Sequence, residues 1–499
     1  KRFYQQKENN RVMISFTLCL LVLVAGYFVY GRLVERIFGP DDRPTPACLH
    51  PNGVDYVVLP GWKIFMIQFL NIAGLGPIFG AIMGAKFGES CFLWIVLGSI
   101  FAGATHDYLA AMLSLRHDGE SLPELTGRYL GSAARQAMRA FSILLLVLVG
   151  AVFVAGPAAL LARLTPEALN VYFWIAVIFV YYFLAALLPI DKIIGKVYPL
   201  FAGALLFMAL GILVMFYVKR PVLPELWDGL RNVHPAAADL PIFPILFVSV
   251  ACGAISGFHA TQSPMMCRCM KSERQGRPIF YGAMIAEGIV ALIWAAAATY
   301  YFHYYEGGMG VSDASVIVFD ITHDWLGAIG GVLAILGVVA APVTTGDTAL
   351  RSARLIVADM LHVDQGSLAK RLAVSAVIFA ATIGILFYNL ADADGFNVVW
   401  RYFSWANQAL SVFTLWAVTA FLARSGKCYF VTLLPALFMT AVCTTYLCIA
   451  PEGFGMGRMV SYLVGGGAVL LSGARFLVWK KGVKPKTRCM DFWKSVKFA

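Results

Sequence analysis

The sequence predicts an all-α polytopic membrane protein whose core is a five-plus-five inverted repeat. Three observations predict this class. First, 60% of the 499 residues are hydrophobic and only 13% are charged, a balance that excludes a soluble domain. Second, apolar segments of bilayer length recur along the whole chain. Third, glycine and proline interrupt two of these segments in matching positions, a pattern typical of secondary transporters.

About thirteen segments are predicted to span the membrane, because roughly twenty apolar residues form a helix of bilayer length. The mean hydropathy of +0.75 is consistent with that many spans. The predicted spans are 12–30, 64–85, 92–114, 141–164, 171–189, 197–218, 243–262, 279–302, 326–343, 372–390, 396–422, 429–450 and 456–477.

The two interruptions are rich in helix-breaking residues. The first reads Asn-Ile-Ala-Gly-Leu-Gly-Pro-Ile-Phe-Gly at 71–80, and the second reads Gly-Ala-Ile-Ser-Gly-Phe-His-Ala-Thr-Gln-Ser-Pro at 253–264. Backbone polar groups cannot stay unpaired in lipid, so such breaks are tolerated only where neighbouring helices or a water-lined cavity satisfy them. They therefore predict a substrate cavity. The alternative is that these glycines only allow helices to pack closely.

The spacing of the breaks predicts the organisation of the chain. Each break opens a set of five spans, and an odd number of spans places the second set in the opposite orientation. We therefore expect an N-terminal helix and connecting loop at 1–60, a first repeat at 61–220 and a second repeat at 241–425. Two peripheral helices and a basic tail follow at 426–499.

The net charge of +11 reports orientation and not a nucleic-acid partner, because lysine and arginine concentrate in alternate connections. We expect the acidic connections at 306–324 and 392–394 outside the cell membrane, and the tail at 480–497 inside. Thirteen spans then place the basic N-terminus outside, against the rule, so this orientation stays open. The connections expected in the cytoplasm contain Arg116, Arg128, Arg135 and Arg139; Arg268, Lys271, Arg274 and Arg277; and Arg351, Arg354, Lys370 and Arg371.

Several ordered motifs resemble the carbon starvation CstA family of peptide and pyruvate transporters. The motifs are His-Pro-Asn-Gly-Val-Asp-Tyr at 50–56, Ile-Ala-Gly-Leu-Gly-Pro at 72–77, Ala-Gly-Ala-Thr-His-Asp-Tyr at 102–108, Ser-Leu-Arg-His-Asp-Gly-Glu-Ser-Leu at 114–122, Ser-Gly-Phe-His at 256–259, Tyr-Gly-Ala-Met-Ile-Ala-Glu at 281–287, Thr-Thr-Gly-Asp-Thr-Ala at 344–349 and Ala-Asn-Gln at 406–408. The resemblance implies a LeuT-type fold and ion-coupled import during carbon starvation. Whether the protein has a small membrane-associated partner protein stays open.

The chain also departs from the family pattern. It resembles a short member, because longer members carry extra membrane segments. Gln68 stands where we expect histidine, and 260–264 read Ala-Thr-Gln-Ser-Pro in place of a Gly-Thr-Thr pattern. These differences leave substrate identity and proton coupling open.

The broken helices predict a site for a small carboxylate. Half-helix N-termini carry partial positive charge and free amide donors, so they can hold a carboxylate without a buried lysine or arginine. Pyruvate is the first-ranked substrate, and short peptides and amino acids are the alternatives. His259 is either a donor to the substrate or an ordinary core histidine. The expected lining is Gly74, Gly76, Ser256, Gly257, His259 and Thr261.

The threonines at 344–348 predict a site for a coupling ion, either Na+ or H+. The resemblance assigns a sodium role to Thr344 and Thr345, expected at the cytoplasmic end of the eighth core helix, because oxygen ligands suit a hard cation. Thr348 belongs to the same group, and Asp347 is expected to supply a charge. The alternative is that the threonines hydrogen-bond back to their own helix.

Charged residues inside membrane spans are functional candidates because their burial is costly. Asp107 and Glu287 are candidates for a proton relay or for structural hydrogen bonds. Adjacent helical residues point about 100° apart, so we expect His106 and Asp107 not to pair. Asn407 and Gln408 are expected to hydrogen-bond between helices.

Other classes fit the sequence less well. No span shows the continuous polar stripe of a channel. An enzyme is not expected, because the chain has no HExxH, GxSxG or P-loop motif. No cofactor is expected besides a coupling ion. A nutrient sensor that retains a transporter core is the remaining alternative.

Overall fold

A computed structural model describes residues 13–51, 56–187, 190–311, 313–361, 363, 368–391 and 395–483. Within these ranges the chain consists of helices and their connections, with no β-strand. Several parts of the sequence prediction lie outside the described residues: the basic residues Lys1, Arg2, Lys7 and Arg11, the motif residues 52–55, the acidic segment 392–394 and the tail from 484 onwards.

Nineteen α-helices are present in the described ranges. The first eleven are α1 (Ile14–Phe28), α2 (Tyr30–Phe38), α3 (Pro46–Leu49), α4 (Gly61–Ile72), α5 (Ala81–Ala85), α6 (Ser90–Leu97), α7 (Ala104–Leu115), α8 (Leu122–Leu130), α9 (Ser132–Leu164), α10 (Val171–Leu187) and α11 (Ile190–Lys219). The others are α12 (Phe247–Ser249), α13 (Gly257–Cys267), α14 (Gly282–Tyr304), α15 (Ala314–Leu361), α16 (Leu368–Ala391), α17 (Gly395–Arg424), α18 (Phe430–Ile449) and α19 (Arg458–Lys481). Short π-helical turns occupy Gly76–Gly80, Gly98–Gly103, Ile242–Leu246 and Arg277–Tyr281.

Ten helical segments of the described chain are long and apolar enough to cross a membrane, and the bent pair Gly61–Ile72 and Gly76–Ala85 makes eleven. Val171–Ala185 is a shorter apolar helix. The predicted span at 243–262 corresponds to the interrupted segment that contains α12 and α13. The protein is therefore a multi-pass membrane protein, and the count of thirteen spans stays a prediction.

The first predicted break is confirmed. Helix α4 ends at Ile72, Ala73 leaves the helical conformation (φ −82°, ψ 44°), and the axis turns by 53° before α5. A methyl group on Gly76 would fall on the side chain of Cys252. Gly76 thus lies where the first break contacts the second. The helix break and the close packing that the alternative predicted are therefore both present.

The second predicted break is confirmed in part. The chain is interrupted between the end of α12 at Ser249 and the start of α13 at Gly257, whereas the predicted residues 257–264 belong to α13. A methyl group on Gly257 would overlap backbone atoms of Asn407 and Ser411 in α17. Only glycine lets the start of α13 approach α17 this closely.

The helices after the second repeat pack at the edge of the bundle. Helix α18 packs against α17 and α19, while α19 exposes large apolar side chains such as Leu463, Leu470 and Leu471. Inside the bundle, α4 contacts α11, α13, α14 and α15, and α13 contacts α7 and α17. The interrupted helices therefore lie at the centre. The predicted repeat boundaries stay predictions.

The eighth core helix extends further than predicted. Its apolar span is Gly330–Ala358, within α15, and Gly327 at its outer end has a positive φ of 69°. Thr344 and Thr345 therefore lie in the middle of the span, and their expected position at its cytoplasmic end is wrong. Pro342 and Gly346 are accommodated within the helix.

The connections expected to be basic loops are partly helical. Arg351 and Arg354 belong to α15, whereas Arg128 lies in α8, and Arg135 and Arg139 begin α9. Arginine is a good helix former, and two of these arginines also have a carboxylate partner: Arg135 lies 3.3 Å from Glu124, and Arg139 donates to the same carboxylate.

An ion-pair network joins the basic connections on the side assigned to the cytoplasm. Arg116, which caps the end of α7, donates through Nε and Nη2 to the buried Glu273 at 3.0 and 2.9 Å. Arg43 lies 3.6 Å from the same carboxylate. Its guanidinium also donates to Asp41 and holds the pKa of that carboxyl below its usual range. The network ties α7 and the connection before α14 to the segment after α2.

The close approach at Gly257 predicts a stability effect. We expect Gly257→Ala to destabilise the protein by about 1–3 kcal/mol, because the added methyl group overlaps backbone atoms that cannot rotate away. The measurement is the thermal unfolding temperature of the purified protein in detergent. Gly466→Ala is the matched control, since that helical glycine has no atom within 4 Å of an added methyl group. Equal unfolding temperatures for the two variants would contradict the packing argument.

Candidate functional site

Four ionisable side chains form a buried row beside the second break. The Asp107 carboxylate in α7 lies 2.8 Å from His106 Nδ1 through Oδ1 and 2.7 Å from His259 Nδ1 through Oδ2. His259 Nε2 approaches Glu287 Oε2 of α14 to 3.4 Å. All four side chains have no solvent exposure. We call this set the acid–histidine row.

The pairing of His106 with Asp107 differs from the sequence prediction. Neighbouring helical side chains diverge, but the Asp107 carboxylate reaches the His106 imidazole through one oxygen and crosses to α13 through the other. Asp107 is therefore the bridge between two imidazoles. The alternative for His259, an ordinary core histidine with one hydrogen bond, describes only part of its surroundings. From α13, His259 bonds to Asp107 of α7 and also approaches Glu287 of α14.

The last step of the row is close but not a formed hydrogen bond. His259 Nε2 and both Glu287 oxygens lack hydrogen-bond partners among the described residues, although His259 Nε2 and Glu287 Oε2 are 3.4 Å apart. A small shift of α13 against α14 would close or widen this gap. Proton passage between His259 and Glu287 would then depend on the position of these helices.

The charge of the row must be balanced internally. Among the residues that the structure describes, no lysine or arginine is within ion-pair distance of Asp107 or Glu287. Unpaired charges are costly in a membrane interior. Protons shared among the two carboxyl groups and two imidazoles are thus the means of neutralising it.

Asn407 of α17 holds the start of α13. Its Oδ1 accepts hydrogen bonds from Ser256 Oγ at 3.0 Å and from the Phe258 backbone N–H at 2.7 Å. Gln408 Nε2 donates to the carbonyls of Ala251 and Ile255 at 3.1 Å each. Both amides thus bond between helices, as predicted. One donor at the α13 N-terminus is consequently occupied by protein.

The predicted substrate-lining residues have mixed surroundings. A methyl group on Gly74 would lie 2.8 Å from the Phe153 ring, and Thr261 Oγ1 donates to the Phe258 carbonyl at 2.7 Å. Ser256 is held by Asn407, and Gly257 packs on α17. The structure brings these residues together with His259 around the two breaks, while their contact with a substrate stays a prediction.

Buried amides extend the candidate site beyond the residues singled out from the sequence. Gln68 and Asn71, in the last turns of α4 before the first break, are buried and have no hydrogen-bond partner among the described residues. Gln262 Oε1 and His106 Nε2 are unpartnered in the same sense. Buried polar groups without partners are rare in native proteins, so these groups are candidates to bind a polar ligand. The amide type at membrane depth is the sequence signal that could have identified Gln68 and Asn71.

Of the predicted ion-site threonines, Thr345 alone reaches the first broken helix among the described contacts. Thr345 Oγ1 donates to the Ala341 carbonyl at 2.8 Å and lies 3.2 Å from the Leu70 carbonyl of α4. Thr344 and Thr348 bond within α15, as the alternative predicted. Asp347 lies 3.8 Å from Arg351 instead, in a different cluster. The sodium role of Thr344 and Thr345 stays a prediction.

Two interrupted helices at the centre of the bundle, with buried titratable groups beside them, are the arrangement of a LeuT-type fold. Solved structures support the fold. A manganese transporter of Eremococcus coleocola is 12% identical with a TM-score of 0.55, over 86% of this chain and 98% of that chain. MhsT in complex with L-phenylalanine is 11% identical with a TM-score of 0.57, over 83% and 99%.

The chain belongs to the carbon starvation protein CstA family, whose sequence profile matches residues 10–171, 158–323 and 308–446. An uncharacterized membrane protein of Haemophilus influenzae is 41% identical over 60% of this chain and 94% of that protein. The peptide transporter CstA of Escherichia coli is 25% identical over 88% of this chain and 80% of that protein. The match covers 58% of the peptide transporter CstA of Bacillus subtilis, at 26% identity. The chain is thus a transporter and not an enzyme.

The Asn407 contacts predict a graded loss of stability. We expect Asn407→Ala to destabilise the protein by about 2–4 kcal/mol, because it leaves two buried donors unpaired. Ser256→Ala should cost less, about 1 kcal/mol, since the Phe258 N–H still satisfies Asn407. Thermal unfolding of the two purified variants measures the difference. Equal losses would show that Asn407 does not join both donors.

Proposed function

We propose that this protein is a proton-coupled secondary active transporter that imports a small carboxylate or a short peptide. The observation that carries the proposal is the acid–histidine row, in which His106, Asp107, His259 and Glu287 lie in sequence at the second break. Carboxyl and imidazole groups alternate along it, an arrangement suited to passing a proton between helices.

Coupling follows from the position of the row. His259 belongs to a broken helix whose movement is expected in alternating access. Asp107 and Glu287 lie on the neighbouring helices α7 and α14. A change in the 3.4 Å separation between His259 and Glu287 would change where a proton resides. Substrate binding and proton binding would thereby act on one another.

A small carboxylate such as pyruvate is our first-ranked substrate. The unpartnered amides of Gln68 and Asn71 offer hydrogen-bond donors. The free Nε2 of His106 donates as well when that imidazole is protonated. A carboxylate can be held by such donors together with a helix N-terminus. The Phe258 amide already donates to Asn407, so α13 has fewer free donors for a substrate. A carboxylate would therefore depend more on the side chains of Gln68 and Asn71.

Short peptides are the second candidate, favoured by the two buried carboxyl groups. A peptide carries an ammonium group that Asp107 or Glu287 would pair with, and its carboxylate would use the same amide donors. Relatives from Escherichia coli and Bacillus subtilis are named peptide transporters. Sodium at Thr345 and the Leu70 carbonyl is the alternative source of coupling, supported by their 3.2 Å contact.

Uptake into proteoliposomes tests coupling and substrate together. We expect labelled pyruvate to accumulate under an imposed proton gradient, and Glu287→Gln to reduce that uptake at least about tenfold, because the amide cannot exchange the proton. The measurement is the initial uptake rate under separate proton and sodium gradients, with a labelled dipeptide run in parallel. Glu306→Gln, at an exposed position, is the matched control and should retain uptake.

Three outcomes would contradict parts of this proposal. Sodium-driven uptake that Thr345→Ala abolishes would move coupling to the threonine site. Dipeptide uptake without pyruvate uptake would reverse the substrate ranking. Proton-driven uptake unchanged in Glu287→Gln would exclude Glu287 from coupling.

A further inference from the structure

A second buried charged cluster lies in α15, beyond the threonines and away from the acid–histidine row. Arg351 is six residues after Thr345, which is roughly 9 Å along a helix. The cluster lines a cavity between α10, α15 and α16. The polar lining residues are Tyr182, Asp347, Arg351, Arg354 and Ser375.

These side chains are deeply buried. Tyr182 is 1% exposed, Asp347 5%, Arg354 6% and Ser375 6%, and the Arg351 side chain is 9% exposed. Burial of a guanidinium in a membrane protein is costly unless it is paired or hydrogen-bonded. The cluster therefore needs partners that account for its charge.

The protein supplies only some of those partners. Arg351 Nη2 donates to the Ala185 carbonyl at 3.0 Å and lies 3.8 Å from Asp347. Among the described residues, Arg351 Nε, Arg354 Nε and the Tyr182 hydroxyl have no hydrogen-bond partner. Among the described lining residues there are two guanidinium groups and one carboxylate, so this part of the lining carries one excess positive charge.

Gly346 of α15 leaves room for the Tyr182 side chain. A methyl group on Gly346 would overlap the Tyr182 hydroxyl, so glycine at that position lets the hydroxyl lie against α15. Among the described lining residues, the fully buried polar atoms without a partner are two guanidinium N–H groups and the Tyr182 hydroxyl, and the one carboxylate, Asp347, lies 3.8 Å from Arg351. Donors without acceptors, together with excess positive charge, are the surroundings that an anion requires.

We propose that this cavity binds a small inorganic anion of the halide class, with chloride as the ion available in cells. The cavity has room for about one water-sized particle. A chloride ion is somewhat larger than water, so the flexible arginine and tyrosine side chains must move outward slightly to hold it. A phosphate or a lipid headgroup needs more space and more donors. The bound anion would cancel the excess charge and hold α10, α15 and α16 together, a role separate from substrate transport.

The test is anion-dependent stability of the full-length protein in detergent. We expect the thermal unfolding temperature to rise saturably when chloride replaces gluconate at constant ionic strength, and bromide to act similarly. Arg354→Gln should raise the half-saturating chloride concentration at least about tenfold. Arg163→Gln, an exposed arginine paired with Asp313, should keep the response of the unchanged protein.

Tyr182→Phe keeps the test decisive if Arg354→Gln does not fold. It removes only the hydroxyl, and we expect it to weaken chloride binding severalfold. An unfolding temperature that is the same in chloride and gluconate would overturn the proposal. Stabilisation by phosphate or by phosphatidylglycerol micelles, but not by chloride, would also overturn it and would assign the site to a phosphate group. Because the readout is stability and not uptake, its result is independent of the proposed transport function.

Discussion

The absence of water in the bilayer interior governs this structure. A polar group there must be paired within the protein, so each irregular stretch of backbone requires a partner. Asn407 and Gln408 meet this need at the second break, since together they bond Ser256, the Phe258 amide and the carbonyls of Ala251 and Ile255. Helix α17 thereby makes an unwound segment stable at the centre of the protein, which is the condition for a binding site.

The same constraint distributes the buried charges. The acid–histidine row contains acids and imidazoles, whose charges protons can cancel. The cluster around Arg354 contains guanidinium groups, which stay charged at all relevant pH values. One group of residues can change its charge during a transport cycle and the other cannot. This difference suits the first to coupling and the second to a constant structural role.

Sequence alone predicts those features of this protein that depend on residue type at membrane depth. Glycine and proline at membrane depth identified both breaks, and Asp107 and Glu287 stood out as charges in apolar spans. The bridge from Asp107 to His106 and His259 could not be predicted, because it depends on how α13 lies against α7. The position of Thr345 in its helix could not be predicted, because the apolar run of the sequence ends at Val343, whereas α15 continues through the arginines to Leu361. The lack of hydrogen-bond partners at Gln68 and Asn71 results from how the helices pack, so it could not be predicted from the sequence.

The contact between Thr345 and the Leu70 carbonyl affects how easily the helices move relative to one another. The Thr345 hydroxyl shares its one proton between the Leu70 carbonyl and the nearer Ala341 carbonyl, so the contact between α4 and α15 contributes at most about 1 kcal/mol net. The 2.7 Å hydrogen bond of His259 to Asp107 of α7 joins ionisable groups in a dry interior, where separation is far more costly. Helices α7 and α13 would therefore move together. The contact beside Thr345 and the unformed step from His259 to Glu287 of α14 are where neighbouring helices can shift.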